Sequence, residues 1–324
     1  MSSTPLSQDR VRGALLGTAI GDALGMPIEH LSHQNVRLYY KGIKAYRADE
    51  KRGELEAGQW TGDTQRMLVL AHVMAASDGD AMISSRLSEA LRTLLPQARR
   101  WETGLFEAVQ EDRAVEAPSN GAAVTMAPVA VRWELGRGGE EMDAYLSTIV
   151  GASHGHPASM AAAFGQAYAV RYALLAEPNA FDAETFWESV HDATRDAEQQ
   201  LDDADTTVSA RLAALKDSLD DFPLDLQDAC GGTGPSASES WPFALAMFAR
   251  NPHLPEATLL SAINVGGDAN SVGAMCGALL GALNGADAFP QAWHDGLEAR
   301  AEIIATADAL YRRNANSDWR IAGA

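Results

Sequence analysis

Glycine recurs at every fourth position near both ends of the chain, and this repeat limits the folds that the chain can adopt. The two series are Gly13, Gly17, Gly21 and Gly25, and Gly273, Gly277, Gly281 and Gly285. A four-residue spacing places the members of a series on one face of an α-helix. Because glycine inside a helix costs roughly 1 kcal/mol relative to alanine, we interpret the series as two central helices whose backbones pack closely. Ordinary small-residue packing in an alanine-rich chain is the alternative, and it also places both helices in the core.

Helical periodicity continues along the rest of the 324-residue chain. Apolar residues recur at helical spacing in segments 11–18, 67–74, 82–95, 122–133, 142–152, 157–175, 181–199, 206–219, 238–250, 255–264, 269–283 and 289–313. The prolines at positions 96, 118, 157, 178, 223, 252, 255 and 290 fall between these segments or at their starts, where they are compatible with helices. No run of alternating apolar and polar residues predicts a strand. The sequence therefore predicts an all-α protein and, since no low-complexity linker interrupts it, one domain spanning residues 1–324.

The charge of the chain excludes several classes of partner. The net charge is −19, and only four lysines accompany 21 arginines. A nucleic-acid groove needs a positive surface, so we expect no nucleic acid as partner, and anionic lipid would repel this chain. The most apolar stretch, residues 272–283, is too short to span a bilayer. No apolar leader is visible, and the two cysteines have no metal or redox spacing. We expect a cytoplasmic protein without membrane contact, and the sequence leaves its oligomeric state open.

Two polar clusters stand where loops run into helical segments. The first is Thr61-Gly62-Asp63-Thr64, and the second runs from Gly266 to Ser271 as Gly-Gly-Asp-Ala-Asn-Ser. At a helix start, hydroxyls and carboxylates lie beside backbone N–H groups that have no partner within the helix. Such oxygen atoms are also the ligands that Mg²⁺ and Mn²⁺ prefer. Each cluster alone fits an N-cap better than a metal site, and only the two together indicate a divalent cation.

Taken in order, these segments resemble the ADP-ribosylglycohydrolase family. The resemblance covers nearly the whole chain and is strongest in segments 12–29, 58–65, 120–123, 127–128, 153–154, 239–245 and 263–271. It implies an orthogonal multi-helix bundle with Mg²⁺ or Mn²⁺ in a central cleft. It also implies hydrolysis of the N- or O-glycosidic bond that joins ADP-ribose to a protein side chain or to a small molecule.

The resemblance further implies roles for individual residues. The metal ligands are Thr61, Asp63, Asp268, Asn270 and Ser271. The catalytic acids are Glu29 and Asp63. The residues that contact substrate are Asn120, Gly121, His154, Gly232, Gly234 and Ser236. Two of these assignments have a further interpretation. His154 also fits a helix-end histidine with local hydrogen bonds, and the glycine-rich turn at 231–234 has the composition of an anion-binding nest in its own right.

Two positions depart from the family pattern. Gly62 and Asn270 stand where the family usually has aspartates, so three carboxylates remain, from Glu29, Asp63 and Asp268. Because uncompensated buried charge is expensive, we expect one bound Mg²⁺ or Mn²⁺ ion, or weak binding of two. The double substitution Gly62→Asp/Asn270→Asp is therefore predicted to tighten Mg²⁺ binding. The losses also leave a second function open, that of an ADP-ribose- or nucleotide-binding protein without catalytic activity.

Overall fold

The computed structural model describes residues 6–77, 82–102, 104–135, 142–201 and 206–312. The α-helices are α1 (Gln8–Gly25), α2 (His33–Asn35), α3 (Gly62–Ala76), α4 (Ile83–Leu94), α5 (Leu105–Gln110), α6 (Gly121–Val124), α7 (Ala127–Glu134), α8 (Met142–Gly151), α9 (Pro157–Leu175), α10 (Ala183–Gln200), α11 (Thr207–Leu215), α12 (Pro223–Ala229), α13 (Ala237–Arg250), α14 (Pro255–Ile263), α15 (Ala269–Asn284), α16 (Gln291–Gly296) and α17 (Arg300–Arg312). Shorter turns are the 3-10 helices Met26–Ile28, Leu95–Gln97, Pro178–Ala180, Lys216–Ser218 and Ala286–Ala288, and the π-helical turn Val36–Tyr40. The prediction of an all-α fold is confirmed.

The helix boundaries differ from the predicted ones where the backbone breaks. The segment 122–133 is two helices, because Pro128 near the start of α7 has no N–H to continue the helix from α6. The segment 289–313 is also two helices, α16 and α17, with Ala299 in a left-handed conformation between them. Residue 313 itself lies outside the described residues. The short helices α5 and α12 carry too few turns to produce a periodic signal and were not predicted.

Helices α1 and α15 pack against each other through their glycines. The repeat predicted close approach of another backbone to each helix, and the structure shows that each is the other's partner. A side chain at Gly13 would collide with the backbone of Gly281, and one at Gly21 would collide with that of Gly273. The order of these pairs shows that the two helices run antiparallel. Gly285 differs from the others, because it ends α15 in a left-handed conformation (φ 84°). Both helices are buried on nearly every face, which is the pattern of helices at the centre of a fold.

The antiparallel pair sets the position of the functional loops. The C-terminal end of α1 and the N-terminal end of α15 lie at the same end of the molecule. There the chain forms a small sheet that the sequence did not predict, in which β1 (Leu31–Ser32) pairs antiparallel with β2 (Gly266–Gly267). Around the pair, α9, α13 and α14 pack on α15 and α17 packs on α1. Within the described ranges, no helix combines the length and the apolar character needed to cross a membrane.

Candidate active site

Asp22, near the C-terminal end of α1, joins this helix to the start of α3. Its Oδ2 accepts hydrogen bonds from the backbone N–H of Thr61 at 2.9 Å and of Thr64 at 3.1 Å, and from the Thr64 hydroxyl at 2.7 Å. Thr61 caps the same helix, since its Oγ1 accepts from the N–H of Asp63 at 3.3 Å. These bonds satisfy N–H groups that a helix start leaves without partners. Asp22 thereby fixes the first polar cluster against the central helix pair.

The second cluster, at the start of α15, contacts the first directly. Asp63 Oδ2 accepts from the Ser271 hydroxyl at 2.7 Å and from the Asn270 amide nitrogen at 3.1 Å. Asp268 occupies the N-cap position but does not cap α15 with its side chain, so the N-cap interpretation is wrong for this residue. Its Oδ2 accepts instead from the amide of Asn120 at 2.6 Å. Two segments far apart in sequence thus form one polar site.

A cavity of about 320 Å³ opens over this site. Six of the predicted residues line it, namely Glu29, Asp63, Asn120, Asp268, Asn270 and Ser271. Thr61 lies behind the wall and is fully buried. The cavity volume falls within the range of small-molecule sites, which is roughly 300–1,000 Å³. The residues expected to hold a cation and those expected to catalyse the reaction therefore share one cleft.

The other predicted substrate contacts lie around the cleft rather than on its described wall. His154 is fully buried and reaches the cleft only through Glu102, whose Oε1 is 2.7 Å from its Nε2. Its Nδ1 lies 2.8 Å from the Ser153 hydroxyl, which fits the interpretation of a histidine with local bonds. The turn at 231–234 binds a carboxylate of the protein itself, because the N–H of Gly234 donates to Glu239 Oε2 at 3.1 Å. The nearby Pro235 is the residue that lines the cavity.

The sequence analysis missed five charged residues on the cavity wall, which are Arg52, Glu54, Arg66, Arg100 and Glu102. Arg66 lies three residues after Asp63 on α3, and its Nη2 is 2.8 Å from Asp63 Oδ1. That spacing places the two side chains next to each other on a helix and was a usable signal. Glu102 lies in a loop, 3.3 Å from Arg66 Nη1. It had no signal, because only the folded chain brings this loop to the cleft.

Glu29 is held by arginines on the same wall. Its Oε2 lies 2.8 Å from Arg52 Nη1 and 3.3 Å from Arg100 Nη1. Only 8% of the Arg100 side chain is exposed. It pairs also with Asp49 and Glu54 and has a left-handed backbone (φ 48°). A non-glycine residue with positive φ is uncommon. The loop around Arg100 therefore stores strain in order to point its guanidinium at Glu29.

Burial and mutual repulsion raise the pKa of three carboxyl groups at the base of the cleft. Burial, with a smaller contribution from the Asp63 carboxylate, raises the pKa of Asp268 to about 8, and the bond from Asn120 opposes this rise. Burial and Asp63 likewise raise the pKa of Asp22 to about 7. Burial also raises the pKa of Asp63, against the opposing effect of Arg66. For Glu102 burial acts in the same direction, but His154 and Arg66 outweigh it and lower the pKa to about 2.

The oxygen atoms at this site belong to the classes that bind hard cations. Asn270 Oδ1 and Asp22 Oδ1 are buried and have no hydrogen-bond partner. Over the described part of the chain, no group of three His, Cys, Asp or Glu side chains could hold a metal ion alone. A cation would therefore need hydroxyl and amide oxygens, such as those of Ser271 and Asn270, beside the carboxylates of Asp63 and Asp268. Mg²⁺ and Mn²⁺ accept such ligands.

The surroundings of Gly62 argue against one of the two changes in the double substitution that was predicted to tighten Mg²⁺ binding, namely Gly62→Asp. A Cβ atom at this position would collide with the Trp101 ring and would lie 2.7 Å from the carbonyl oxygen of Arg99. An aspartate at position 62 would therefore have to displace the 99–101 loop, which also carries Arg100. The expectation that Gly62→Asp supplies a ligand oxygen is wrong for this backbone. The expectation for Asn270→Asp stays a prediction.

Comparisons with known proteins agree with the all-α fold and with the family resemblance seen in the sequence. The model of the family described as ADP-ribosylglycohydrolase matches residues 3–319. The chain is 25% identical to ADP-ribosylhydrolase ARH3 of Homo sapiens, over 94% of each protein. It is also 25% identical to the ADP-ribosyl-[dinitrogen reductase] glycohydrolase of Rhodospirillum rubrum, over 94% of this chain and 97% of that protein. A solved structure described as an ADP-ribosylglycohydrolase-related protein complex superposes with a TM-score of 0.75 at 24% identity, covering 94% and 98% of the two chains.

Proposed function

Because the chain belongs to the ADP-ribosylglycohydrolase family, we propose that it hydrolyses the N- or O-glycosidic bond between ADP-ribose and a protein side chain or a small molecule. One observation carries the proposal, which is the convergence of Glu29, Asp63 and Asp268 on a single cavity together with Asn120. Carboxylates that flank a substrate-sized cavity are the groups that glycoside hydrolysis requires.

A single Mg²⁺ or Mn²⁺ ion belongs to this proposal. The residues that would hold it are Asp63, Asp268, Asn270 and Ser271, with Thr61 behind them. Asn270 contributes the buried amide oxygen that has no other partner. When bound, such an ion polarises the oxygen atoms of the ribose beside the bond to be broken.

The protein groups around the cleft have distinct parts in the proposed reaction. Glu29 accepts a proton from the water whose oxygen bonds to the anomeric carbon, and it returns that proton to the nitrogen or oxygen of the leaving group as the glycosidic bond breaks. Arg52 and Arg100 hold its carboxylate in one orientation. Asn120 keeps Asp268 in place through the 2.6 Å bond to its carboxylate. The transition state is expected to resemble an oxocarbenium ion, which a carboxylate beside the sugar ring stabilises.

Hydrolysis of ADP-ribosyl-arginine and ADP-ribosyl-serine peptides, measured in Mg²⁺ and in Mn²⁺, tests the proposal. We expect turnover that a chelator abolishes and that Glu29→Gln lowers by about 10²-fold or more in kcat, the usual contribution of a general base. Glu134→Gln is the matched control, since Glu134 pairs with Arg171 away from the cleft. Equal turnover by the natural protein and Glu29→Gln would contradict the role given to Glu29.

A second function has its own supporting observation. Arg66 occupies one oxygen of Asp63, and Trp101 fills the space beside Gly62, so the cleft differs from a site built only of carboxylates. A cleft of this kind could bind ADP-ribose without cleaving its derivatives. Binding of ADP-ribose in calorimetry, with no turnover of either peptide in either metal, would favour this function over hydrolysis.

A further inference from the structure

Arg66 is a buried cation inside the proposed metal site. Only 4% of its side chain is exposed. Nη2 donates to Asp63 Oδ1 at 2.8 Å, and Nη1 lies 2.9 Å from the carbonyl oxygen of Gly121 and 3.3 Å from Glu102 Oε1. Nε donates to the carbonyl oxygen of Gly62 at 3.2 Å. Each nitrogen of the guanidinium thus has a partner, so the side chain has one well-defined position.

The surrounding residues are shaped around this guanidinium. A Cβ atom at Gly121 would collide with the Glu102 carboxylate, so a glycine at position 121 is what lets Glu102 reach Arg66. On its other side Glu102 is bonded to the buried His154. The result is a row of fixed groups, in the order His154, Glu102, Arg66 and Asp63, that leads from the core to the cleft. This arrangement gives Gly121 and His154 roles that do not require contact with substrate.

The position of Arg66 determines which oxygens of Asp63 remain for a metal. Oδ1 accepts from Arg66, while Oδ2 accepts from Ser271 and Asn270 on the α15 side. A guanidinium remains protonated in proteins, and two cations a few ångströms apart repel strongly in a buried site. A divalent ion is therefore excluded from the Oδ1 side of Asp63 and favoured on the side of Asp268.

We infer that Arg66 is a built-in cation that occupies the Asp63–Glu102 side of the cleft and limits the protein to one divalent ion, held on the Asp268 side. The inference rests on the proposed function for the existence of the ion site. It identifies Arg66 as a positioning residue that sets the number and the affinity of bound ions, and Glu102 as the group that holds Arg66 in place.

Titration of the metal-free protein with Mn²⁺, without substrate, tests the inference. Calorimetry and Mn²⁺ spin resonance give the number of ions and their affinity. We expect one ion for the natural protein and for Arg66→Lys, which keeps the charge. For Arg66→Met, which removes it, we expect a second ion or binding at least tenfold tighter. Arg12→Met is the matched control. Arg12 pairs with Asp308 and lies near the N-terminal end of α1, whereas the cleft lies beyond the C-terminal end of that helix.

A second variant protects the test against misfolding of Arg66→Met. Arg66→Gln/Glu102→Gln removes one charge of each sign, so the net charge of the cleft is unchanged, and it frees Asp63 Oδ1. We expect it too to bind Mn²⁺ at least tenfold more tightly than the natural protein. Thermal unfolding and circular dichroism establish which variants are folded.

The outcomes separate the inference from the proposed function. One ion of unchanged affinity in the natural protein, in Arg66→Met and in the double variant would overturn the inference and leave the proposed function standing. Two ions in the natural protein would also overturn it. Binding by Arg66→Met but not by the natural protein would support the part played by Arg66 and refute the metal of the proposed function. No binding by any variant would refute both.

Discussion

Asn270 and Gly62 show how single residues decide what the cleft can bind. Asn270 offers an amide oxygen without a partner, while its amide nitrogen donates to Asp63 and lies 3.4 Å from Thr61 Oγ1. Its environment can accept an aspartate, because the two side chains have the same shape. Gly62 has no such freedom, because the Trp101 ring occupies the space that a side chain would need. Of these two positions where the family usually has aspartate, only position 270 therefore has room for an aspartate in this structure.

Asn270→Asp is predicted to lower the stability of the metal-free protein and to raise its affinity for Mn²⁺. The new carboxylate would face Asp63 Oδ2 in place of a donor, which costs about 1–3 kcal/mol in a buried site. A bound cation would relieve that repulsion and gain a charged ligand, so we expect Mn²⁺ to bind roughly tenfold more tightly. Thermal unfolding with chelator and with saturating Mn²⁺ measures both effects.

Asn284→Asp is the control for this prediction. Asn284 lies at the opposite end of α15, about 20 Å from Asn270 at 1.5 Å per residue, and its amide donates to the carbonyls of Pro252 and Leu280. We expect it to lose stability without any dependence on Mn²⁺. The same loss with and without Mn²⁺ in Asn270→Asp would count against Asn270 as a ligand.

The antiparallel helices α1 and α15 are the element that brings the site together. Their glycines allow the backbones to approach so closely that Glu29, just beyond the end of α1, and the start of α15 line the same cleft. The small sheet then joins residues that follow α1 to residues that precede α15, with Leu31 opposite Gly267. A change in the separation of these helices should therefore affect both the core and the site.

Gly277→Ala is predicted to destabilise the protein by roughly 2–3 kcal/mol, as overpacking of a core does. Its Cβ would collide with the backbone of Gly17, which cannot move without separating the two helices. Gly151→Ala is the matched control, since Gly151 lies in α8 with no atom near the added methyl group. That change is expected to stabilise by about 0.5–1 kcal/mol. Urea unfolding gives both values, and equal effects would contradict close packing of α1 and α15.

For the molecule as a whole, an ion pair connects the two ends of the described chain. Arg12 on α1 donates to both oxygens of Asp308 on α17, at 2.6 Å and 2.7 Å, and Gln8 adds a third bond at 2.7 Å. A two-bond pairing of this kind is stronger than a usual surface pair. The bond from Arg12 lowers the pKa of Asp308, against a smaller opposing effect of burial.

Asp308→Asn is predicted to lower the free energy of unfolding by about 1 kcal/mol at pH 7. Because the folded-state pKa is lowered, the ionised group stabilises the protein above its ordinary pKa of about 4. This contribution is lost as the pH falls through the lowered value. The difference between variant and natural protein should therefore shrink below about pH 4, as urea unfolding between pH 7 and pH 3 would reveal. Asp112→Asn, in an exposed pair with Arg92, should change little at any pH.

The helices were largely predictable because helical periodicity and glycine spacing are local properties. The four-residue repeat indicated two central helices, and these became α1 and α15. Where two helices meet within one periodic segment, as at Pro128, the pattern alone did not separate them. The sheet was also beyond prediction, since two residues per strand give no alternation and their pairing depends on contacts far apart in sequence.

The polar residues of the cleft were recognisable in part for the same reason. Asp63, Asp268 and their neighbours stand at helix starts, where the sequence itself marks them. What the sequence by itself determined was therefore the helices and the chemical character of the two clusters. The tertiary structure alone decided that Glu102 and Arg66 meet beside Asp63, and that Trp101 fills the space next to Gly62. Burial and through-space charge arise only when distant segments pack together, and they set which ligand oxygens remain free.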